Sequence, residues 1–134
     1  MPKKETVRSY LITQLTELPP LKCTGDSERI AQVITNLLTN AIQYNREGGE
    51  VRVSLESQAG VAVLQVADTG PGIYAEDLPR VFERFYRADK SRTSGGNTGL
   101  GLAICQAIIE AHGGMIEAAS EKEVGTTFTV RLPV

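Results

Sequence analysis

Asn36 and Asn40 lie one helical turn apart, followed by Gln43 and Tyr44, in a stretch where Ile30, Val33, Ile34, Leu37, Leu38, Ala41 and Ile42 recur at helical spacing. Both amides therefore project from one face beside an apolar stripe. An amide oxygen can ligate a hard cation such as Mg²⁺, whose other ligands are commonly water and phosphate oxygens. Two asparagines on a solvated helix face are the plainer alternative. A second group is Asp68-Thr-Gly70-Pro-Gly72-Ile73. Ala62, Leu64 and Val66 share a strand face with Asp68, so its carboxylate emerges beside apolar neighbours. A carboxylate there can accept from the exocyclic amine of an adenine, and the glycines let backbone approach a ligand closely. A strand-end Asp-Thr-Gly is also compatible with a simple turn or an aspartic-protease motif. The third group, Gly95-Gly-Asn-Thr98-Gly99-Leu100-Gly101-Leu102, leads into a helix, whose free N–H groups and partial positive charge suit phosphates. It has no Gly-Lys-Ser/Thr, and it lacks the third glycine of a dinucleotide fingerprint.

The elements that must carry these groups follow from periodicity. Asp26 or Ser27 is suited to cap the asparagine helix, which Gly48-Gly49 is expected to stop. Val51, Val53 and Leu55 alternate with Arg52, Ser54 and Glu56 as a half-buried strand does, and a turn through Gln58-Ala59-Gly60 leads to the strand ending at Asp68. Between Thr69 and Gly99 regular periodicity is lost, apart from a short helix expected around Glu76 to Phe82. A connection of that length suggests a functional lid. Leu100, Ala103, Ile104, Ala107, Ile108 and Ala111 predict a second helix, ended by Gly113-Gly114. Two strands follow, Met115 to Ser120 and one in which Thr126, Phe128, Val130 and Leu132 alternate with Thr127, Thr129 and Arg131. Hairpin pairs of strands with helices before and between them predict a two-layer α+β sandwich. Residues 1–20 fit a helix stripe or a strand start equally, and Pro19-Pro20 ends either.

With 134 residues, 41% of them hydrophobic and 22% charged, the chain matches one soluble globular domain. A net charge of -2 argues against general nucleic-acid binding. The local surplus of Arg80, Arg84, Arg87, Lys90 and Arg92 over Glu83 and Asp89 suits a small anion or simply a solvated face. Cys23 and Cys105 have no metal-ligand spacing and read as packing residues in a reducing compartment. No apolar run approaches membrane-spanning length.

Taken in order, Asn36-Leu-Leu-Thr-Asn40-Ala-Ile-Gln-Tyr44 resembles the asparagine box of sensor histidine kinases, and Asp68 to Gly72 their first glycine box. Val81-Phe-Glu-Arg-Phe-Tyr-Arg87 is similar to their phenylalanine box, Gly95 to Leu102 to the second glycine box, and Gly125-Thr-Thr-Phe128 before Arg131-Leu-Pro133 to their closing strand. The resemblance runs from about Asp26 to the end. It implies the Bergerat sandwich: a mixed, mostly antiparallel sheet covered on one face by about three helices, forming a single ATP-binding catalytic domain over 1–134. The family has a further strand and helix before the region of Leu18 to Gly25, which residues 1–17 are expected to replace only in part.

By the same resemblance the cofactors are ATP and Mg²⁺. Asn40 is the metal ligand, Asn36 lies near the phosphates, Asp68 reads the adenine amine and Tyr44 packs on the base. Gln43 stands where many kinases have a basic residue, which removes one phosphate contact. Gly70, Gly72, Ile73 and Thr127 are further nucleotide-binding residues, while Thr98, Gly99, Leu100, Gly101 and Leu102 serve the phosphates. About 83–99 form the ATP lid, with Arg87 and Arg92 as cations for the phosphoryl group. Hydrolysing relatives have a glutamate where this chain has Asn36, and an amide cannot deprotonate water, so phosphoryl transfer is implied rather than hydrolysis. The acceptor is a histidine on a dimerisation domain of the parent kinase, with a response regulator served indirectly, in the cytoplasm. His112 closes a helix and is read as structural. An anti-sigma-factor type serine kinase and a non-catalytic nucleotide-binding or interaction module are the competing readings.

Overall fold

The computed structural model describes residues 26–83 and 101–133. Arg87, Arg92, Thr98, Gly99, Leu100, the expected lid beyond Glu83 and the N-terminal residues 1–25 lie outside the described residues. Helix α1 is Ser27–Gln43, capped by Asp26, whose Oδ1 accepts the N–H of Glu28 at 3.0 Å and of Arg29 at 3.2 Å. It ends at Gln43 with Tyr44 as its C-cap, four residues before Gly48 of the expected Gly48-Gly49 stop. Asn45 explains the difference. Its side chain donates to the Glu50 carbonyl at 2.8 Å and accepts the Arg46 N–H at 2.9 Å, a local bonding pattern that competes with continuation of the helix.

Strands β1 (Val51–Gln58) and β2 (Val61–Asp68) form a tight hairpin. Ala59 and Gly60 at its tip both have positive φ, 51° and 79°, matching the right-handed twist of the strands they join. The short helix expected around Glu76 to Phe82 is a single 3-10 turn, Leu78–Arg80. Pro79 contributes no N–H there, and the Tyr74 carbonyl draws the N–H groups of Asp77 and Leu78 at 2.9 and 3.0 Å. Helix α2 is Gly101–Ala111. Its end has paired reverse bonds, Gly113 N–H to Glu110 carbonyl at 3.0 Å and Gly114 N–H to Ile109 carbonyl at 2.9 Å, with Gly113 at φ 75°. Strands β3 (Met115–Glu121) and β4 (Gly125–Pro133) complete a sheet in the order β1-β2-β4-β3. All pairings among the described residues are antiparallel, and two of the expected helices fall within them.

The register sets three rows across the helix-covered face. Leu55, Leu64, Val130 and Ile116 form one, Val53, Val66, Phe128 and Ala118 the next, and Val51, Asp68, Thr126 and Ser120 the last. Val33, Leu37 and Ala41 of α1 and Cys105, Ile108 and Ile109 of α2 cover the apolar rows. Phe82 joins this layer edge-on to Phe128, with ring centroids 6.1 Å apart, and so anchors the start of the phenylalanine box to the core. Leu37 is wholly buried, whereas Ile104 is 37% exposed. Leu37→Ala is therefore expected to lower stability by about 3 kcal/mol and Ile104→Ala by less than about 1 kcal/mol, both read from denaturant unfolding midpoints.

Candidate functional site

Asp68 ends β2 in the last of the three rows, on the face that the helices cover. Its Oδ1 accepts the Gly70 N–H at 2.8 Å. Burial pushes its carboxyl above the ordinary value, partly opposed by the backbone N–H groups of Gly70 and Thr126. The carboxylate emerging among apolar neighbours, as the strand pattern implied, is therefore a desolvated acceptor held by backbone donors.

The turn after Asp68 is wedged between two other segments. A Cβ on Gly70 would lie 2.7 Å from the Tyr44 carbonyl. Gly72 has φ 79°, and a side chain there would collide with the backbone of Glu121. Gly125 has φ 150° and its Cβ would collide with the Asp68 carbonyl. These glycines admit protein backbone, not only ligand. Hydrogen bonds then lock the pieces. The Glu123 N–H donates to the Pro71 carbonyl at 2.8 Å, and Ile73 N–H donates to Ser120 Oγ at 2.7 Å. Ser120 Oγ also lies 2.9 Å from Thr126 Oγ1 and 3.0 Å from the Gly125 carbonyl. At the end of α1, Thr69 Oγ1 accepts the Glu50 N–H at 2.7 Å and lies 3.3 Å from Asn45 Oδ1.

Helix α1 connects this end to the phosphate-type end. Tyr44, its C-cap, lies against Gly70, while about two turns further back Asn36 Nδ2 donates to the Gly101 carbonyl at 3.5 Å, at the start of α2. From Asn36 to Tyr44 the helix rises about 12 Å. Asn36, Asn40, Gln43 and Tyr44 are all half-buried on this stretch, as are Gly101 and Leu102 opposite. Helix α1 thus touches the start of the later helix at Asn36 and the glycine turn after Asp68 at Tyr44.

One expected position is corrected by register. Thr127 pairs with Ala67 and Ala119 on the opposite face of the sheet, away from Asp68. Thr126 is the neighbour of Asp68 and is buried. Strand parity held the signal, because Thr126 alternates in step with the apolar Phe128, Val130 and Leu132. Ser120, Asn45 and Arg46 also belong to the site's frame and no motif marks them. His112 is structural as expected: Nδ1 lies 2.8 Å from the Ile108 carbonyl and Nε2 accepts the Asp26 N–H at 3.0 Å, so its hydrogen sits on Nδ1 and the ring ties the end of α2 to the cap of α1. Cys105 is fully buried, its Sγ 3.8 Å from the Val33 carbonyl, and burial pushes its thiol up to about 11 despite a bond with Asn36. It packs. Arg80, from the basic stretch, pairs with exposed Glu83 at 3.4 Å.

A two-layer sandwich whose amide-bearing helix touches both the turn after a half-buried carboxylate and the start of a second helix is the arrangement expected of a nucleotide-binding domain. Residues 25–134 match the family described as histidine kinase-, DNA gyrase B-, and HSP90-like ATPase, and the chain belongs to that family. Within it the chain is an ATP-binding catalytic domain of the sensor histidine kinase type. Sensor protein SrrB of Staphylococcus aureus is 47% identical over 111 residues, covering 82% of this chain and 19% of SrrB, so the chain spans about a fifth of that relative. The mycobacterial sensor histidine kinase MprB superposes with a TM-score of 0.78 at 31% identity, covering 96% of this chain and 93% of that one. The full-length ShkA structure in complex with AMPPNP gives a TM-score of 0.76 at 27% identity, over 97% of this chain and 29% of that one. No described helix is long and apolar enough to cross a membrane.

Asp68 holds its proton more tightly folded than unfolded. Below the ordinary carboxylate pKa the group has no effect on stability; as pH rises from there through the raised folded value, ionisation costs the folded state. Asp68→Asn keeps an acceptor for the Gly70 N–H and removes that cost. Its melting temperature is expected to exceed wild type at neutral pH and to converge with it in acid. Equal melting temperatures at both pH values would contradict the desolvation account.

Proposed function

We propose that this chain binds Mg-ATP in the groove along α1 and transfers the γ-phosphate to a histidine on a separate dimerisation domain of its parent kinase. The observation that supports the reading is that α1 contacts the turn after Asp68 at Tyr44 and the start of α2 at Asn36. Asp68 accepts from the exocyclic amine of adenine, Thr126 stands beside it, and Tyr44 packs on the base. Gly70, Gly72 and Ile73 shape that end. Gly101 and Leu102 at the start of α2, with Thr98, Gly99 and Leu100 before them, offer N–H groups to the phosphates. Gln43 contributes no positive charge there. That the similar full-length ShkA was solved in complex with AMPPNP supports a nucleotide ligand for this chain.

The donor set fits one magnesium ion. Among the described residues no three His, Cys, Asp or Glu side chains gather to form a metal cage. In the family's pattern Asn40 would supply an amide oxygen, with phosphate and water oxygens as the remaining ligands, and the metal would neutralise charge on the transferring group. Asn36 cannot act as a general base toward water. A histidine acceptor has its own lone pair: its ring nitrogen bonds to the γ-phosphorus as the bond to the bridging oxygen breaks and ADP leaves. The chain's task is then to align the donor and screen its charge, with Arg87 and Arg92 as the cations. The parent acts in the cytoplasm, and a response regulator takes the phosphate onward.

Fluorescent ATP-analogue binding tests the site. Affinity is expected to rise with Mg²⁺, and Asn40→Ala is expected to lose that rise by about tenfold, or about 1.4 kcal/mol. Supplying a folded, histidine-bearing dimerisation domain should yield acid-labile phosphate on it. Binding without any label on that acceptor would rule out the kinase reading and leave a nucleotide-binding module.

A further inference from the structure

One charged side chain in the frame of the site has no part in the roles above. Arg46, two residues beyond the C-cap of α1, donates from Nη2 to the Gly70 carbonyl at 3.1 Å and to the Glu123 carbonyl at 3.1 Å. Its own N–H is held by Asn45 Oδ1 at 2.9 Å. It therefore ties together the end of α1, the glycine turn and the β3–β4 turn, and the Glu123 N–H to Pro71 carbonyl bond at 2.8 Å closes the ring.

Gly70 is the residue whose N–H aims the Asp68 carboxylate. A glycine has no side chain to limit its own dihedrals, so the direction of that N–H depends on how firmly the flanking peptides are held. On one side Thr69 is fixed, its N–H donating to the Glu50 carbonyl at 3.1 Å. On the other side Arg46 holds the Gly70 carbonyl. A guanidinium suits this position because it carries several donors in a planar fork and remains charged, which strengthens bonds to two carbonyls at once. We propose that Arg46 is a positioning residue for purine recognition, fixing Gly70 against the β3–β4 turn so that Asp68 points at the exocyclic amine of the base. This rests on the proposed reading of Asp68 as the amine acceptor.

The test compares ATP with inosine triphosphate, which has a carbonyl where ATP has the amine, binding to this chain. Wild type is expected to prefer ATP. Arg46→Met should weaken ATP binding about fivefold, roughly the net contribution of one ordinary hydrogen bond, while inosine triphosphate changes by less than about twofold. Arg46→Lys should restore most of the preference. If the Met variant does not melt as a folded protein, Arg46→Gln is measured under the same expectation. Equal losses for both nucleotides would mark Arg46 as merely structural and overturn the inference, as would an unchanged preference. A wild-type chain that binds neither nucleotide refutes the ATP reading itself, and one that binds both equally removes Asp68 as the amine reader and Arg46's role with it.

Discussion

The constraint on which the site depends is strand register. Because β1, β2, β4 and β3 pair antiparallel without a slip through their common rows, Asp68 is brought level with Val51, Thr126 and Ser120 and one row beyond Val53, Val66, Phe128 and Ala118. A shift of one residue in β2 would send Asp68 to the open face together with its apolar neighbours Val66 and Leu64. The apolar rows therefore enforce the position of the carboxylate: burying Val66, Phe128 and Val130 under α1 and α2 leaves Asp68 no other face. The energy that fixes the polar group comes from the apolar ones beside it.

A desolvated carboxylate is unfavourable unless its donors are in place, and here the donors are backbone groups on segments that must themselves be held. This explains why the glycines cluster around contacts with protein. Gly70 makes room for the Tyr44 carbonyl, Gly72 for the backbone of Glu121 and Gly125 for that of Asp68. Close approach lets short bonds form among the glycine turn, the end of α1 and the β3–β4 turn, from Thr69 through Asn45 to Ser120. Preorganisation of this kind lowers the ordering cost at the moment of binding.

Much of this was legible in the sequence because it rests on periodicity and on residues with few alternatives. The apolar spacing of α1, the alternation of β1, β2 and β4, and the Gly113-Gly114 stop all correspond to observed elements. The placement of Asp68 followed from parity alone. The same parity selects Thr126 over Thr127, because Thr126 pairs with Asp68 whereas Thr127 pairs with Ala67. The early end of α1 was not legible, because Gly48-Gly49 is the stronger local stop signal and Asn45 acts through Glu50, a contact that exists only once β1 is paired. Arg46 and Ser120 are invisible for the same reason: each bonds to backbone carbonyls or amides distant in sequence, and a carbonyl leaves no mark on residue type.

The two ends that α1 joins differ in how they are built. At the carboxylate end several bonds between 2.7 and 3.1 Å fix the Asp68 turn. At the other end, Asn36 reaches the Gly101 carbonyl at 3.5 Å, near the limit of a useful hydrogen bond. One helix spans both contacts, about 12 Å apart along its axis, so α1 sets the position of the Asp68 turn relative to Gly101. Phosphoryl transfer depends on alignment of donor and acceptor, and one helix that joins the two contacts is a means of holding such an alignment.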